Sequence, residues 1–433
     1  MKDDNYAVLR ILDFRNFVIA RFLAVVGIQI QAVVVAWQVF DKTNDPLALG
    51  LVGLFEIIPS ISVALFAGHL ADRKDRKKIV LICYTVLLLC SICLLILSTP
   101  ILNIANNDVY PIFGVIFISG IARGFLHPSL AAFMAQLVPK HLYPNSSAWN
   151  SIAWQVAAVC GPALGGLLYG FGGKVLPIYF DAQEKISSGG AILSYSVDAC
   201  LLLCAILFYS RILPKPIPEM KKGDSIFDSL FTGFKFVFSN QVMLAAMSLD
   251  MFAVLFGGAV ALLPVFAKEV LQVGPEGLGI LRASPAFGAA IMAMVLAYKP
   301  PKENSGIILL VAVAGFGLSM ILFGISSYFY LSVFLLALSG VFDSVSVVLR
   351  STIMQTFTPE NMRGRVASVN SIFIGSSNEL GAFESGVTAK FMGAIQSVLF
   401  GGAMTLLIVA VIAAKAPELR KLNFKDGEHD PNK

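Results

Sequence analysis

Charge is what this chain has least of. Only 14% of its 433 residues are Asp, Glu, Lys or Arg, against about a quarter in an ordinary soluble domain, and a water-facing globular fold is excluded on that ground. Histidine is scarce as well: His69, His127, His141 and His429 are the full set. The six cysteines, Cys83, Cys90, Cys93, Cys160, Cys200 and Cys204, all fall inside apolar stretches. Cys90 and Cys93 lack the His or carboxylate companions of a zinc site. They read as small hydrophobes. No Gly-x-x-x-x-Gly-Lys-Ser/Thr loop occurs, which excludes direct drive by ATP. No nucleophile can be assembled with a base, so neither an enzyme nor a cofactor or metal is expected. The opening, Met1 to Tyr6, is charged and runs into apolar sequence without a short apolar core and small-residue cleavage site, so no cleavable leader is expected.

What the chain has is hydrocarbon. Hydrophobic residues make up 57% and mean hydropathy is +0.79, which is the composition of a protein dissolved in the lipid bilayer. Apolar runs of about 20 residues predict membrane-spanning helices at 15–40, 47–70, 79–99, 111–138, 147–171 and 190–212. A second set is predicted at 241–267, 276–298, 306–326, 328–357, 365–390 and 396–415. The expected fold is all-α, twelve spans in two six-helix halves, 1–213 and 241–433. Lys and Arg crowd the termini and the even-numbered connections, whereas the odd ones hold only Lys42, Lys174, Lys185 and Lys268. Cationic residues are retained on the cytoplasmic side, so both termini are expected there. The net charge of +5 then reflects topology, and no nucleic-acid partner is implied.

The connection 214–240 begins Pro214-Lys215-Pro216-Ile217-Pro218, which no helix interior accepts. Behind it Ile226, Leu230, Phe234 and Val237 recur at helical spacing, predicting an amphipathic segment that either lies along the membrane surface or is a plain linker helix. On the opposite side, 172–190 is the longest loop and is expected either to cover the mouth of a cavity or to play no part.

One loop is unlike the rest. Gly68-His69-Leu70-Ala71-Asp72-Arg73-Lys74-Asp75-Arg76-Lys77-Lys78 packs seven charges between the second and third spans, and the cost of placing such charges in hydrocarbon, about 2.5 to 3.5 kcal/mol each, pins it in water. Gly68 permits a close helix approach. Asp72 and Arg76, four apart, pair if the turn continues helical.

The sequence also repeats. A gap-free offset of 220 residues superposes Ser119-Gly120 on Ser339-Gly340, Met134 on Met354, Pro139 on Pro359, Asn150-Ser151-Ile152 on Asn370-Ser371-Ile372, Gly161 on Gly381 and Gly166 on Gly386. A weaker echo at 226 matches Gly53 with Gly279 and Pro59 with Pro285. Two parallel halves with a binding site between them near the midplane is an arrangement of secondary transporters.

The charged loop resembles the signature loop of major facilitator transporters, Gly-x-Leu-Ala-Asp-Arg-x-Gly-Arg-Lys, at Gly68, Leu70, Ala71, Asp72, Arg73, Arg76 and Lys77, and departs from it at Asp75, where Gly is usual. Gly161-Pro162-Ala163-Leu164-Gly165-Gly166 resembles the fifth-span motif of the antiporter and exporter branches. Phe17 to Phe22, Gly233 to Phe236 and Gln355 to Val366 extend the resemblance to the enterobactin-exporter-like branch. That resemblance implies a role in gating for Gly68, Asp72, Arg73, Arg76 and Lys77, and bending and close packing for Gly161, Pro162, Gly165 and Gly166.

Ionisable residues inside spans are costly and therefore candidates for function. They are Glu56, Arg123, His127, Asp198, Asp250, Arg282, Asp343, Arg350, Glu379 and Glu384, with Arg21 near a surface where it can snorkel. The resemblance implies that spans one, four, seven and ten line the cavity, which brings Arg123, His127, Asp250 and Asp343 forward, with Glu56, Glu379 and Glu384 as further proton-coupling candidates. Arg123 and Asp343 are repeat equivalents, and either a structural brace between them or a proton relay is open. Asp250 is favoured as the proton carrier because no repeat-equivalent Arg shadows it. The cavity is expected to be amphipathic, walled by Phe, Met and Ile.

The function so implied is a monomeric secondary exporter of a bacterial inner membrane. It moves an amphipathic, siderophore-like or drug-like small molecule outward against protons by alternating access. A lysophospholipid translocator, a nutrient importer and a non-transporting sensor are the alternatives.

Overall fold

The computed structural model describes residues 6–99, 108–175, 185–216, 226–299, 301, 303–359 and 362–424. Twelve long helices account for almost all of them. The first six are α1 (Leu12–Thr43), α2 (Pro46–Arg73), α3 (Arg76–Leu97), α4 (Tyr110–Leu137), α5 (Tyr143–Val175) and α6 (Lys185–Ser210). After a linker helix, Ile226–Ser239, come α7 (Gln241–Gly257), α8 (Gly274–Tyr298), α9 (Ser305–Ile325), α10 (Phe329–Phe357), α11 (Arg363–Met392) and α12 (Ala394–Lys415). Eleven spans among the described residues are long and apolar enough to cross a membrane. The twelfth helix, α11, has the length, at 30 residues, but carries Asn370, Asn378, Glu379 and Glu384 along it.

Helix ends follow local chemistry. Asp45 caps α2 by accepting from the Leu47 N–H at 3.0 Å, with Pro46 at the first helical position. Asn240 caps α7 through the Met243 N–H at 3.0 Å. The seventh span is not one continuous helix: α7 stops at Gly257, and a 3-10 turn, Ala259–Leu262, and a π turn, Phe266–Val270, follow. Gly258 adopts a non-helical conformation, and Pro264 removes a backbone donor within the turns that follow.

The helices group into two compact units, Met1–Gly223 with Ala267–Ala283, and Asp224–Phe266 with Ser284–Lys433. The linker helix therefore packs with the second unit. The segment 267–283 packs with the first, where Lys268 pairs with Asp41 at 2.7 Å and Glu276 with Lys174 at 2.9 Å.

Each unit buries its own core. In the first, Phe17, Phe133, Tyr84 and Tyr209 pack ring against ring at centroid distances of 5.5 to 6.4 Å. In the second, Met243, Leu249, Leu309 and Ile353 are completely buried. Outward-facing Phe66, Ile82, Leu207, Met294 and Phe391 are strongly exposed, as lipid-facing side chains of a spanning helix must be.

The two sequence echoes meet as one packing device. Gly120 of α4 receives the Glu56 carbonyl and the Pro59 ring of α2, and Gly340 of α10 receives the Pro285 backbone of α8. A Cβ at either position would collide with backbone, so glycine is required by close approach. In the same way Gly161 of α5 lies against Val26 and Gln29 of α1, and Gly381 of α11 against Val254 and Leu255 of α7.

The linker helix packs one face on the second unit: Val237 is fully buried, Gly233 abuts the Arg365 backbone and the Phe234 ring lies 6.1 Å from that of Phe373. Phe231 and Phe238 remain exposed on its other face.

Candidate functional site

In the second unit three helices bring polar residues to one place. Asp343 and Arg350 stand seven apart on α10, two turns along one face, with Val347, Ser351 and Met354 on the same stripe. Asp250 and Val254 are one turn apart on α7, and Asn370, Ile374 and Asn378 follow at four-residue steps on α11. Together these side chains line a cavity of about 140 Å³. Its apolar walls are Val, Ile and Met. No Phe is among the residues that line it.

The charges in this cavity do not balance. Arg350 Nη1 lies 2.5 Å from Asp250 Oδ2, and both side chains are more than nine-tenths buried. Asp343 feels the same guanidinium through its charge, and Arg350 Nε is buried without a hydrogen-bond partner among the described residues. Two carboxylates share one cation. Asp250, favoured as carrier because no repeat-equivalent Arg shadows it, has Arg350 as its partner, an arginine outside the repeat.

Arg123, the repeat equivalent of Asp343, has its guanidinium bonded inside the first unit. It pairs with Glu56 of α2 and donates from Nη2 to Gln31 Oε1 of α1 at 3.0 Å. His127, one turn further along α4, is exposed. Glu379 and Glu384 are half-buried on α11, outside the set that lines the cavity.

The signature loop is seen in part. The side chains of Gly68, Asp72 and Arg73 lie outside the described residues. The helix does not continue through the turn, because Lys74 and Asp75 are both extended. Asp75, the departure from the family pattern, caps α3 by accepting from the Lys77 N–H at 3.0 Å. Arg76 donates to the Ala132 carbonyl at 3.0 Å, and Lys77 Nζ to the carbonyls of Ser210 and Ile212 at 2.8 and 2.6 Å. Those last carbonyls end α6, where a cation is favoured.

The fifth-span motif is a packing surface. Gly161 and Gly165 face α1 at Gln29 and Ile30, while Gly166 meets Pro275 and Gly279 in the segment that joins the first unit. Pro162 sits inside α5 without ending it.

Comparison with known proteins gives this arrangement its context. The family described as transmembrane secretion effector matches residues 4–431. The enterobactin exporter EntS of Salmonella typhimurium is 25% identical over 414 residues, covering 94% of this chain and 93% of the relative. That of Escherichia coli O1:K1 is 25% identical over 417 residues, covering 94% and 92%. Among solved structures, a bacterial homologue of the lysosomal transporter Spinster in an inward-facing, unoccupied conformation has a TM-score of 0.69 at 15% identity, covering 97% of each chain. A D-xylose-proton symporter has a TM-score of 0.68 at 13% identity, covering 96% of this chain and 99% of its own.

Proposed function

This chain belongs to the transmembrane secretion effector family, in the enterobactin-exporter-like branch of the major facilitator superfamily, and from that premise we propose that it exports an amphipathic, siderophore-like or drug-like molecule in exchange for protons. The observation that carries the coupling is the unbalanced cluster Asp250, Arg350 and Asp343 around a cavity in the second unit. With both acids ionised the cluster holds one uncompensated negative charge, and a single proton or one cationic group neutralises it. Groups so close titrate as a unit.

Asp250, held by Arg350, is the brace. Asp343, which shares that cation without a direct ion pair, takes the proton. A cargo group entering beside Val347, Met354 and Asn370 gains apolar contact and a few polar handles, which is the composition of a small-molecule site. Alternating access then requires that proton and cargo favour different conformations, since a ligand shifts an equilibrium only by its differential affinity. The relatives' exporters are named for enterobactin, which makes a siderophore the first cargo to test.

The test uses purified full-length protein in liposomes, with enterobactin and ethidium as probes and an imposed pH gradient. Accumulation of a probe against its gradient, with matching proton movement, is the expected result. Probe movement indifferent to the pH gradient overturns the coupling, and movement of neither probe overturns the cargo class.

A further inference from the structure

Asp198 of α6 has no place in the cavity just described. It is completely buried inside the first unit, at 0% exposure. Its Oδ2 lies 2.5 Å from the Ser91 hydroxyl of α3, and its Oδ1 has no hydrogen-bond partner among the described residues. No ion pair to it occurs among the described residues.

The neighbours can be taken helix by helix. From α1 it meets Gly27, whose missing side chain is what makes room, since a Cβ there would collide with Oδ1. From α3 come Ser91 and the thiol of Cys90. From α4 only the charge of Arg123 reaches it, and that guanidinium is bonded to Glu56 and Gln31 instead. On its own helix stands Tyr195, one turn away, donating to Gln38 Oε1 of α1 at 2.9 Å. Gln38 in turn donates to Ser98 of α3 at 3.0 Å, and Tyr169 of α5 lies beside Tyr195.

An ionised carboxylate in such surroundings is shut off from the protein surface and has no bonded cation among the described residues, and burial of a charge without compensation is disfavoured so strongly that the group neutralises instead. The neutral acid fits better. Its one O–H or the Ser91 hydroxyl supplies the hydrogen of the 2.5 Å contact, and the remaining oxygen sits against a glycine, where no donor is demanded.

We propose that Asp198, with Ser91 and Gly27, is a proton-binding site of the first unit that takes up and releases its proton during transport. In uptake one O–H bond forms on the carboxylate, and in release that proton returns to water. Exchange requires α1 to loosen from α6 at Gly27, which ties it to rearrangement of the unit. The inference rests on the proton-coupled reading above.

Two readouts separate it from a structural role. Infrared difference spectra of the full-length protein in liposomes, wild type against Asp198→Asn at neutral pH, should show the C=O stretch of an un-ionised carboxylic acid that the variant lacks. In the same liposomes Asp198→Asn should lower pH-driven accumulation of enterobactin or ethidium by roughly tenfold or more, while exchange of labelled for unlabelled probe stays near wild type. Absence of the band overturns the proposal, and so does a band accompanied by unimpaired pH-driven accumulation. Should Asp198→Asn not insert, Ser91→Ala keeps the acid and removes its partner, and an unmoved band in that variant also overturns the proposal. If wild type itself shows no pH-driven accumulation, the coupled reading fails for the whole protein, whereas the band still reports the state of Asp198 without any cargo.

Discussion

The two units solve one problem with opposite charges. At equivalent positions of the repeat, α4 carries Arg123 and α10 carries Asp343. In the first unit the cation meets one carboxylate, Glu56, and one neutral amide, Gln31. In the second a lone cation, Arg350, stands between two carboxylates that border a cavity. The first set is neutral as it stands and needs nothing further. The second is short of one positive charge, and a deficit of that kind in a buried place is a demand for a proton or a ligand.

If that contrast is right, removing Arg350 should do the most damage. Arg350→Gln leaves two buried carboxylates facing each other, and breaking a buried pair from one side costs about 3 to 5 kcal/mol. The expected outcome is a large loss of thermal stability in detergent and little folded protein. Adding Asp250→Asn should restore part of it, as a double-mutant cycle measures. Equal stability of the single variant and wild type would remove the brace from the argument.

Asp343→Asn should come next, with a different signature. It abolishes the charge deficit without unpairing Arg350, so folding is preserved and pH-driven accumulation falls by roughly tenfold or more. Exchange of labelled probe across liposomes continues, because exchange does not require the proton to leave. Retained pH drive in this variant would return the proton to Asp250 or to the carboxylates of α11.

Glu56→Gln in the first unit should be milder. The Arg123 and Glu56 side chains are 16% and 24% exposed, so water takes over part of the lost interaction, and Gln31 stays bonded to the guanidinium. A cost of about 1 to 2 kcal/mol is expected, between a surface ion pair and a buried one. Thermal unfolding of Glu56→Gln beside Arg350→Gln gives the comparison directly, and equal losses would show the two clusters to be alike.

Much of this was legible beforehand, for reasons that differ by element. The ends of α1 to α6 fall within a few residues of the hydrophobic runs because bilayer thickness sets span length. Hydropathy alone is a poor guide to α11, with its Asn and Glu residues, yet the repeat of Asn150-Ser151-Ile152 at Asn370-Ser371-Ile372 marks it. The break after Gly257 was not foreseen, although two adjacent glycines and Pro264 announce it. Partner choice was the least legible link. Asp250 and Arg350 are a hundred residues apart, and which guanidinium reaches which carboxylate is settled by how α7 packs on α10, which no local spacing encodes. Asp198 was visible as a charge in a span, but nothing in the chain says that Gly27 leaves it room.

The smallest expected effect sharpens the comparison at the helix ends. After α2 the chain turns into α3 with Asp75 in an extended conformation, its side chain accepting from the Lys77 N–H. At the corresponding turn of the second unit, before α9, Asn304 takes a left-handed conformation, φ +51°, and makes no side-chain cap. Asp75→Gly installs the residue usual in the signature loop, and a glycine in place of a capping carboxylate costs only a few tenths of a kcal/mol. The nearby bonds from Lys77 Nζ to the end of α6 hold the first turn of α3 in place without the cap. Asn304→Gly should act in the other direction by a similar amount, because glycine reaches positive φ without the Cβ penalty while its greater freedom in the unfolded chain offsets part of the gain. Thermal midpoints of the two variants are therefore expected to move in opposite directions, each by little, with transport unchanged. A large fall in transport for Asp75→Gly would mean that the carboxylate does more than cap a helix, and would move the signature loop of this chain from scaffold to switch.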